Sequence, residues 1–217
     1  NIFNKNYAEE YLSYINLILL KNNKKRYLSK NNNIHNKISE ILKFLPKANF
    51  LIIFRDPINQ SISLLNQHKK LSEKQSLDKF ILFYMDKLGH NEFGNNYKYK
   101  NEPINFYDHT NINHWLEQWV LFYKKQKINF ANNNNIIFIN YEHLCDDKEY
   151  LLKLNNVLKI NKKNKSFFSN KNKYSDIISL ARKEKIDDNF DKNLVNQSYI
   201  IYNELTELSL KRINKTV

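Results

Sequence analysis

An arginine, an Asp-Pro pair and two serines occupy residues 55–63, directly after the apolar run Phe50–Phe54. Arg55 carries a planar fork of N–H donors suited to the oxygens of a phosphate or sulfate, and Ser63 can donate from its hydroxyl. Asp56 is an N-cap type and Pro57 fits the first helical position, so a helix begins here and its N-terminus adds partial positive charge. The chemistry suggested is oxyanion binding, with Ser61 as a further hydroxyl in the first turns. The competing reading is a surface or ion-paired arginine beside an ordinary helix start, with Ser63 as a small packing residue.

Such a cluster needs a strand to aim it. Phe50 to Phe54 is continuous, apolar and partly β-branched, as expected of a strand buried on both faces of a parallel sheet. The helix after it is expected from Pro57 to about Lys70. A second buried strand is expected at Ile136–Asn140, again followed by a helix, about Asp147 to Leu158. Apolar spacing of three and four predicts helices at about Tyr7–Leu20, Ile34–Leu45, Leu77–Leu88, Ile112–Lys125 and Leu194–Leu210, with Arg26–Ser29 a possible short strand. Gly89–Thr110 lacks periodicity but carries Phe93, Tyr97, Tyr99, Phe106 and Tyr107, and reads as an aromatic, partly ordered insertion. Alternating strands and helices imply an α/β domain with a mostly parallel sheet and ligands at the carboxyl ends of its strands.

The 217 residues, 41% hydrophobic and 14% aromatic, suffice for one good core, so a single domain spanning 1–217 is expected. The net charge of +13 favours an anionic partner, or is a lysine-rich solvated face. The single cysteine, Cys145, excludes an intrachain disulfide framework and a cysteine-rich zinc site. No apolar run is long enough to span a bilayer, so the expectation is a soluble protein, with the cytoplasm favoured.

The ordered set Arg26-Tyr27-Leu28-Ser29-Lys30-Asn31, Phe44-Leu45-Pro46-Lys47-Ala48-Asn49-Phe50, then Phe54-Arg55-Asp56-Pro57 with Ser63, resembles the superfamily of sulfotransferases that use 3'-phosphoadenosine 5'-phosphosulfate (PAPS). In that family an arginine after a strand and a serine eight positions later bind the donor's 3'-phosphate, the spacing of Arg55 and Ser63 here. Trp115 to Trp119 with Tyr123, the stretch Phe138-Ile139-Asn140-Tyr141-Glu142-His143-Leu144, and the last helix with Tyr199 and Tyr202 are similar too. The resemblance implies a three-layer α/β/α, P-loop NTPase-like fold with a mostly parallel central sheet. It implies an enzyme moving a sulfuryl group from PAPS, as co-substrate and without a metal, to a hydroxyl or amine of a glycan, small molecule or peptide. The family's N-terminal strand and Gly- or Ser-rich phosphosulfate loop have no counterpart before Gly89, so the domain is expected to be N-terminally truncated, an enzyme whose chain as given lacks the loop that activity would need.

The resemblance also adds Tyr141 as a donor-binding candidate and Lys171, in the basic loop Asn161–Lys173 whose family counterpart closes over the nucleotide. Lys30 and His35 fall where family members have a lysine motif near the substrate and are the catalytic candidates, against the plainer reading of a solvated lysine and a capping histidine. His68 reads as a histidine in a helix's last turn, favoured by the dipole. Asp108, His109 and His114 match no metal-ligand spacing, and Trp115 and Trp119 share one face as core residues. The rival from another class is a non-catalytic basic protein on RNA or an acidic polysaccharide, for which no nucleic-acid motif is present.

Overall fold

The computed structural model describes residues 5–160 and 190–215, with side chains from Tyr7 onward. The described residues pack as two compact units, one within 1–50 with 134–136, the other within 51–133 and 137–217.

In the first unit, α1 (Lys5–Lys21) buries Ala8 and Ile15, seven residues apart on one stripe, and leaves Tyr7, Tyr14, Leu17 and Leu20 exposed. The possible short strand at Arg26–Ser29 does not form, and these residues run as irregular chain. A 3-10 turn (Ile34–Lys37) leads into α2 (Ile38–Phe44), which buries Ile38 and Ile41. Asn135 closes the unit, its side-chain amide donating to Pro46 O (2.6 Å) and Ala48 O (2.9 Å) while its carbonyl accepts from Phe50 N (2.8 Å).

The strands are β1 (Phe50–Phe54) and β2 (Ile136–Asn140), forming a two-stranded parallel sheet in a mixed, mostly helical α/β structure. β2 is buried along its whole length, as its composition predicts. β1 departs from expectation: Ile52 and Phe54 are buried, but Leu51 and Ile53 are 41% and 50% exposed. Among the described residues β1 has one neighbour strand, and its second face is not covered as that of a central strand would be.

The second unit is built on α5 (Ile112–Phe130), which buries Trp115, Leu116, Trp119, Val120, Tyr123 and Phe130 and packs against α3 (Pro57–Leu77) and α8 (Lys192–Asn214). The two tryptophans are core, as their spacing suggests. Between α3 and α5 runs α4 (Lys79–Lys87); after β2 come α6 (Tyr141–Asp146) and α7 (Lys148–Val157). Ile137 and Ile139 of β2 pack with Tyr150, Leu154 and Ile213. Ile58, Leu116 and Leu194 join α3, α5 and α8.

With two glycines and three prolines in the chain, Asx residues write the helix starts. Side chains of Asp56, Asp78, Asn111, Asn140, Asp147 and Asp191 each accept from a backbone N–H two or three residues on. Helix α3 runs past Lys70 to Leu77 because no Gly or Pro interrupts it and Gln75 is buried on its inner face. His68 therefore lies in the body of α3, 3% exposed, and accepts from Gly94 N at 3.2 Å.

The aromatic insertion, expected to be partly ordered, is held at several points by α3 and α5. Gln75 accepts from Asn95 N, Gln118 exchanges two bonds with the backbone of Asn101, and Glu117 accepts from both amides of Asn105. His114 donates from Nδ1 to Tyr107 O (3.1 Å), which leaves Nε2 to accept from Tyr97 OH (2.7 Å). Each of these anchors replaces a ladder bond the insertion cannot make for itself.

Candidate functional site

Parallel pairing brings the carboxyl ends of β1 and β2 side by side, so Arg55 and Asp56 leave one strand where Tyr141 and Glu142 leave the other. Glu142 ties the two exits together, its Oε1 accepting from Asp56 N at 3.0 Å. Its Oε2 accepts from Tyr202 OH at 3.2 Å, and Tyr202 OH in turn accepts from Asn140 Nδ2 at 3.0 Å. Asp56 caps α3 with Oδ1 on Asn59 N (2.8 Å) and receives Tyr199 OH on Oδ2 (3.1 Å). Burial, reinforced by the neighbouring carboxylates, pushes both tyrosines up to about 12. Both phenols therefore stay protonated near neutrality and keep their donor roles.

Arg55 stands apart from this network. Its guanidinium carbon lies 4.8 Å from the ring centroid of Tyr141, a cation-π contact. Its Nε is enclosed and has no hydrogen-bond partner, and among the described residues no carboxylate pairs with it. Both adjacent carboxylates are already engaged, so the fork has donors to spare. The α3 N-terminus, by contrast, is occupied by Asp56, and an anion here would rely on the guanidinium rather than on the helix end. Arg55 is half-buried and Ser63 exposed on α3. Ser61 is fully buried and donates to Pro57 O at 2.7 Å, so its hydroxyl serves the helix itself.

Beneath the strand ends, Tyr123 OH donates to Ile53 O at 2.7 Å and Trp119 Nε1 to Gln60 Oε1 at 3.1 Å, fixing α5 against β1 and α3. Half-buried Cys145 lies near Tyr141, and burial pushes its thiol up, which suits a protonated side chain rather than a nucleophile.

Of the other candidates, Lys30 is exposed, and His35 is half-buried and donates from Nδ1 to Asn32 O at 3.3 Å, a local bond of the capping kind. Both belong to the first unit. Lys171 lies outside the described residues. Among the described residues, no group of three or more His, Cys, Asp or Glu side chains is placed to hold a metal ion, and no helix is long and apolar enough to cross a membrane. Asp108, His109 and His114 instead help bind the insertion: His109 O accepts from Trp115 Nε1, and Asp108 accepts from Thr110.

Sequence reasoning did not anticipate the tyrosine–carboxylate network as a network. Its members Asp56, Glu142, Tyr199 and Tyr202 belong to separate stretches, and the signal present, a Tyr-Glu pair at a strand end and two tyrosines three apart on the last helix, does not say that they meet.

Comparisons with protein-family models, with curated proteins and with solved structures return no match for this chain.

Proposed function

We propose that this chain holds the 3'-phosphate-binding part of a PAPS-dependent sulfotransferase of P-loop-like, three-layer α/β/α architecture. The acceptor would be a hydroxyl or amine of a carbohydrate, small molecule or peptide. The observation that carries the reading is Arg55: a guanidinium at the carboxyl end of a parallel strand, with an enclosed, unpartnered Nε, beside two carboxylates that are both otherwise engaged. The position is where parallel α/β sheets bind ligands, and the residue type suits a phosphate. Exposed Ser63, eight residues on, is the second donor, and Tyr141 backs the guanidinium.

In this reading the network of Glu142, Asp56 and the two tyrosines positions Arg55 without neutralising it. The transfer itself would be an in-line displacement at sulfur, needing a base for the acceptor and cationic groups at the leaving oxygen. Among the described residues of the second unit, no side chain is singled out as that base.

The test is a pair of titrations on the wild type and Arg55→Ala. A guanidinium–phosphate contact is worth about 1.5–3 kcal/mol, or roughly 10- to 150-fold in Kd. Binding of 3',5'-adenosine bisphosphate should weaken by that factor, while binding of 5'-adenosine monophosphate, which lacks the 3'-phosphate, should change little. Equal weakening of both would remove the assignment and turn attention to a general polyanion-binding surface, recognisable by steep salt dependence with RNA or heparin.

A further inference from the structure

A second group in the same unit is short of a partner, and its charge is opposite to that of Arg55. Glu117 lies in the second turn of α5 and is 1% exposed. One carboxylate oxygen, Oε1, accepts from Asn105 N at 3.0 Å and Asn105 Nδ2 at 2.6 Å. The other, Oε2, is enclosed and has no hydrogen-bond partner. No lysine, arginine or histidine among the described residues forms an ion pair with it. Nearby His114 spends both ring nitrogens on Tyr107 and Tyr97, and burial holds its pKa down. A buried carboxylate is ordinarily balanced by a cation or by donors on both oxygens; here half of that requirement is unmet.

Glu117 also forms part of the wall of a cleft of about 250 Å³ between the insertion, α5 and α8. Val120, Leu121 and Leu194 give the cleft an apolar lining, Ile104 stands at its exposed side, and Asp191 adds a second carboxylate. Asp191 is itself satisfied, taking Tyr107 OH on Oδ2 at 2.7 Å and the N–H groups of Asn193 and Leu194 on Oδ1. The cleft thus combines one unsatisfied buried acceptor, a second negative charge and an apolar wall. It is smaller than the roughly 300–1,000 Å³ of sites for drug-sized ligands.

We propose that this cleft binds a small ligand bearing a primary ammonium group on a short apolar stem. The ammonium is drawn by the charges of Glu117 and Asp191 and takes Glu117 Oε2 as its acceptor through a turn of that enclosed carboxylate toward the cleft, while the stem lies along Val120, Leu121 and Leu194. A hydroxyl in place of the ammonium supplies a donor but no charge, and a carboxylate is repelled by both acids. This assignment does not depend on the 3'-phosphate reading of Arg55.

The test uses the full chain and three probes of one length: n-butylammonium, n-butanol and butyrate. Binding is read from the backbone amide resonances of Asn105, Asn193 and Leu194. The ammonium should shift these amides saturably, n-butanol should bind about tenfold or more weakly, and butyrate should leave them in place. Glu117→Gln should weaken the ammonium by about tenfold or more and affect n-butanol far less, because it removes the charge and sets an amide donor where Oε2 stood, a group the alcohol oxygen can still accept from. Should that variant fold poorly, Ile104→Trp, at an exposed position, blocks the cleft without touching the core and should abolish binding at unchanged melting temperature. Equal binding of the ammonium and n-butanol, an ammonium that moves none of the three amides, or ammonium binding that survives the substitutions would overturn the proposal. Arg55→Ala should leave ammonium binding intact, so failure of either site is read separately.

Discussion

Removing one oxygen atom from Tyr150 should measure how firmly the end of β2 is held. Tyr150 is 2% exposed, and its hydroxyl accepts from Asn140 N at 3.0 Å and shares a 2.7 Å bond with Ser209 Oγ, both partners being fully buried. Tyr150→Phe keeps the ring among Ile137, Ile139, Leu154 and Ile213, so no cavity term of note arises. What changes is that Asn140 N–H, at the point where β2 ends and α6 begins, is left buried without an acceptor, at a cost of about 1–3 kcal/mol. Ser209 can turn its hydroxyl to a carbonyl of its own helix and recovers most of its share. For a chain of this size each kcal/mol lowers Tm by about 2–4 °C, so the fall should be roughly 2–12 °C. In urea the midpoint should drop with the slope unchanged, since the surface exposed on unfolding is the same. Ser209→Ala alone should cost less than Tyr150→Phe, because Ser209 does not serve the amide. A Tyr150→Phe midpoint indistinguishable from wild type, or the reverse ordering of the two variants, would refute the claim that the phenol satisfies the strand end.

Two perturbations test the binding of the insertion. Gly94 has φ +89°, and a Cβ there would stand 2.2 Å from Gln75 Oε1, the atom that accepts from Asn95 N; Gly94→Ala combines backbone strain with the loss of that anchor and should lower stability by at least about 1 kcal/mol by urea titration. Acid should also loosen the insertion: burial lowers the pKa of His68 and His114 below 6.5, so between the folded and unfolded values the unfolded chain binds more protons. Their contribution is complete above about pH 6.5 and is lost as the pH falls below it. Neighbouring His109 opposes their protonation while Asp108 partly offsets it. Hydrogen exchange across residues 91–110, corrected for intrinsic rates, should show greater opening at about pH 5.5 than at about pH 7.5; equal opening would mean that the two imidazoles do not hold the segment.

Local chemistry was legible where one short stretch decides the outcome. The limits of β1 and β2 follow from their apolar runs, and the start of α3 follows from Asp56-Pro57. Helix ends were less legible, because α3 stops where Asp78 caps the next helix rather than at a Gly or Pro. Helix α6 was missed because six residues carry too little periodicity to show a face. The exposure of Leu51 and Ile53 was unreadable for another reason: an apolar strand says that it can be covered on both faces, but what covers it lies elsewhere in the chain. The same holds for the insertion, whose anchors His68, Gln75, His114 and Glu117 sit on helices where each looks like an ordinary polar residue of an amphipathic face.

Unpaired polar atoms sharpen what the second unit is able to do. Hydrogen-bonding groups enclosed by protein are nearly always paired, and the tyrosine–carboxylate network shows this chain obeying the rule at distances of 60 to 143 residues in sequence. Against that background Arg55 Nε and Glu117 Oε2 are informative, because each belongs to a charged group, for which an unmet bond is most costly. They do not neutralise each other. Helix α5 meets the first through Tyr123, whose hydroxyl holds Ile53 O just before Arg55, and carries the second six residues earlier, about 9 Å along its axis. Had the two charges been needed only for folding, pairing them, or replacing both with apolar residues, would have cost less. Because Arg55 leaves β1 and Glu117 belongs to α5, the two proposed sites rest on different elements, and each should be removable by a single substitution that leaves the other in place.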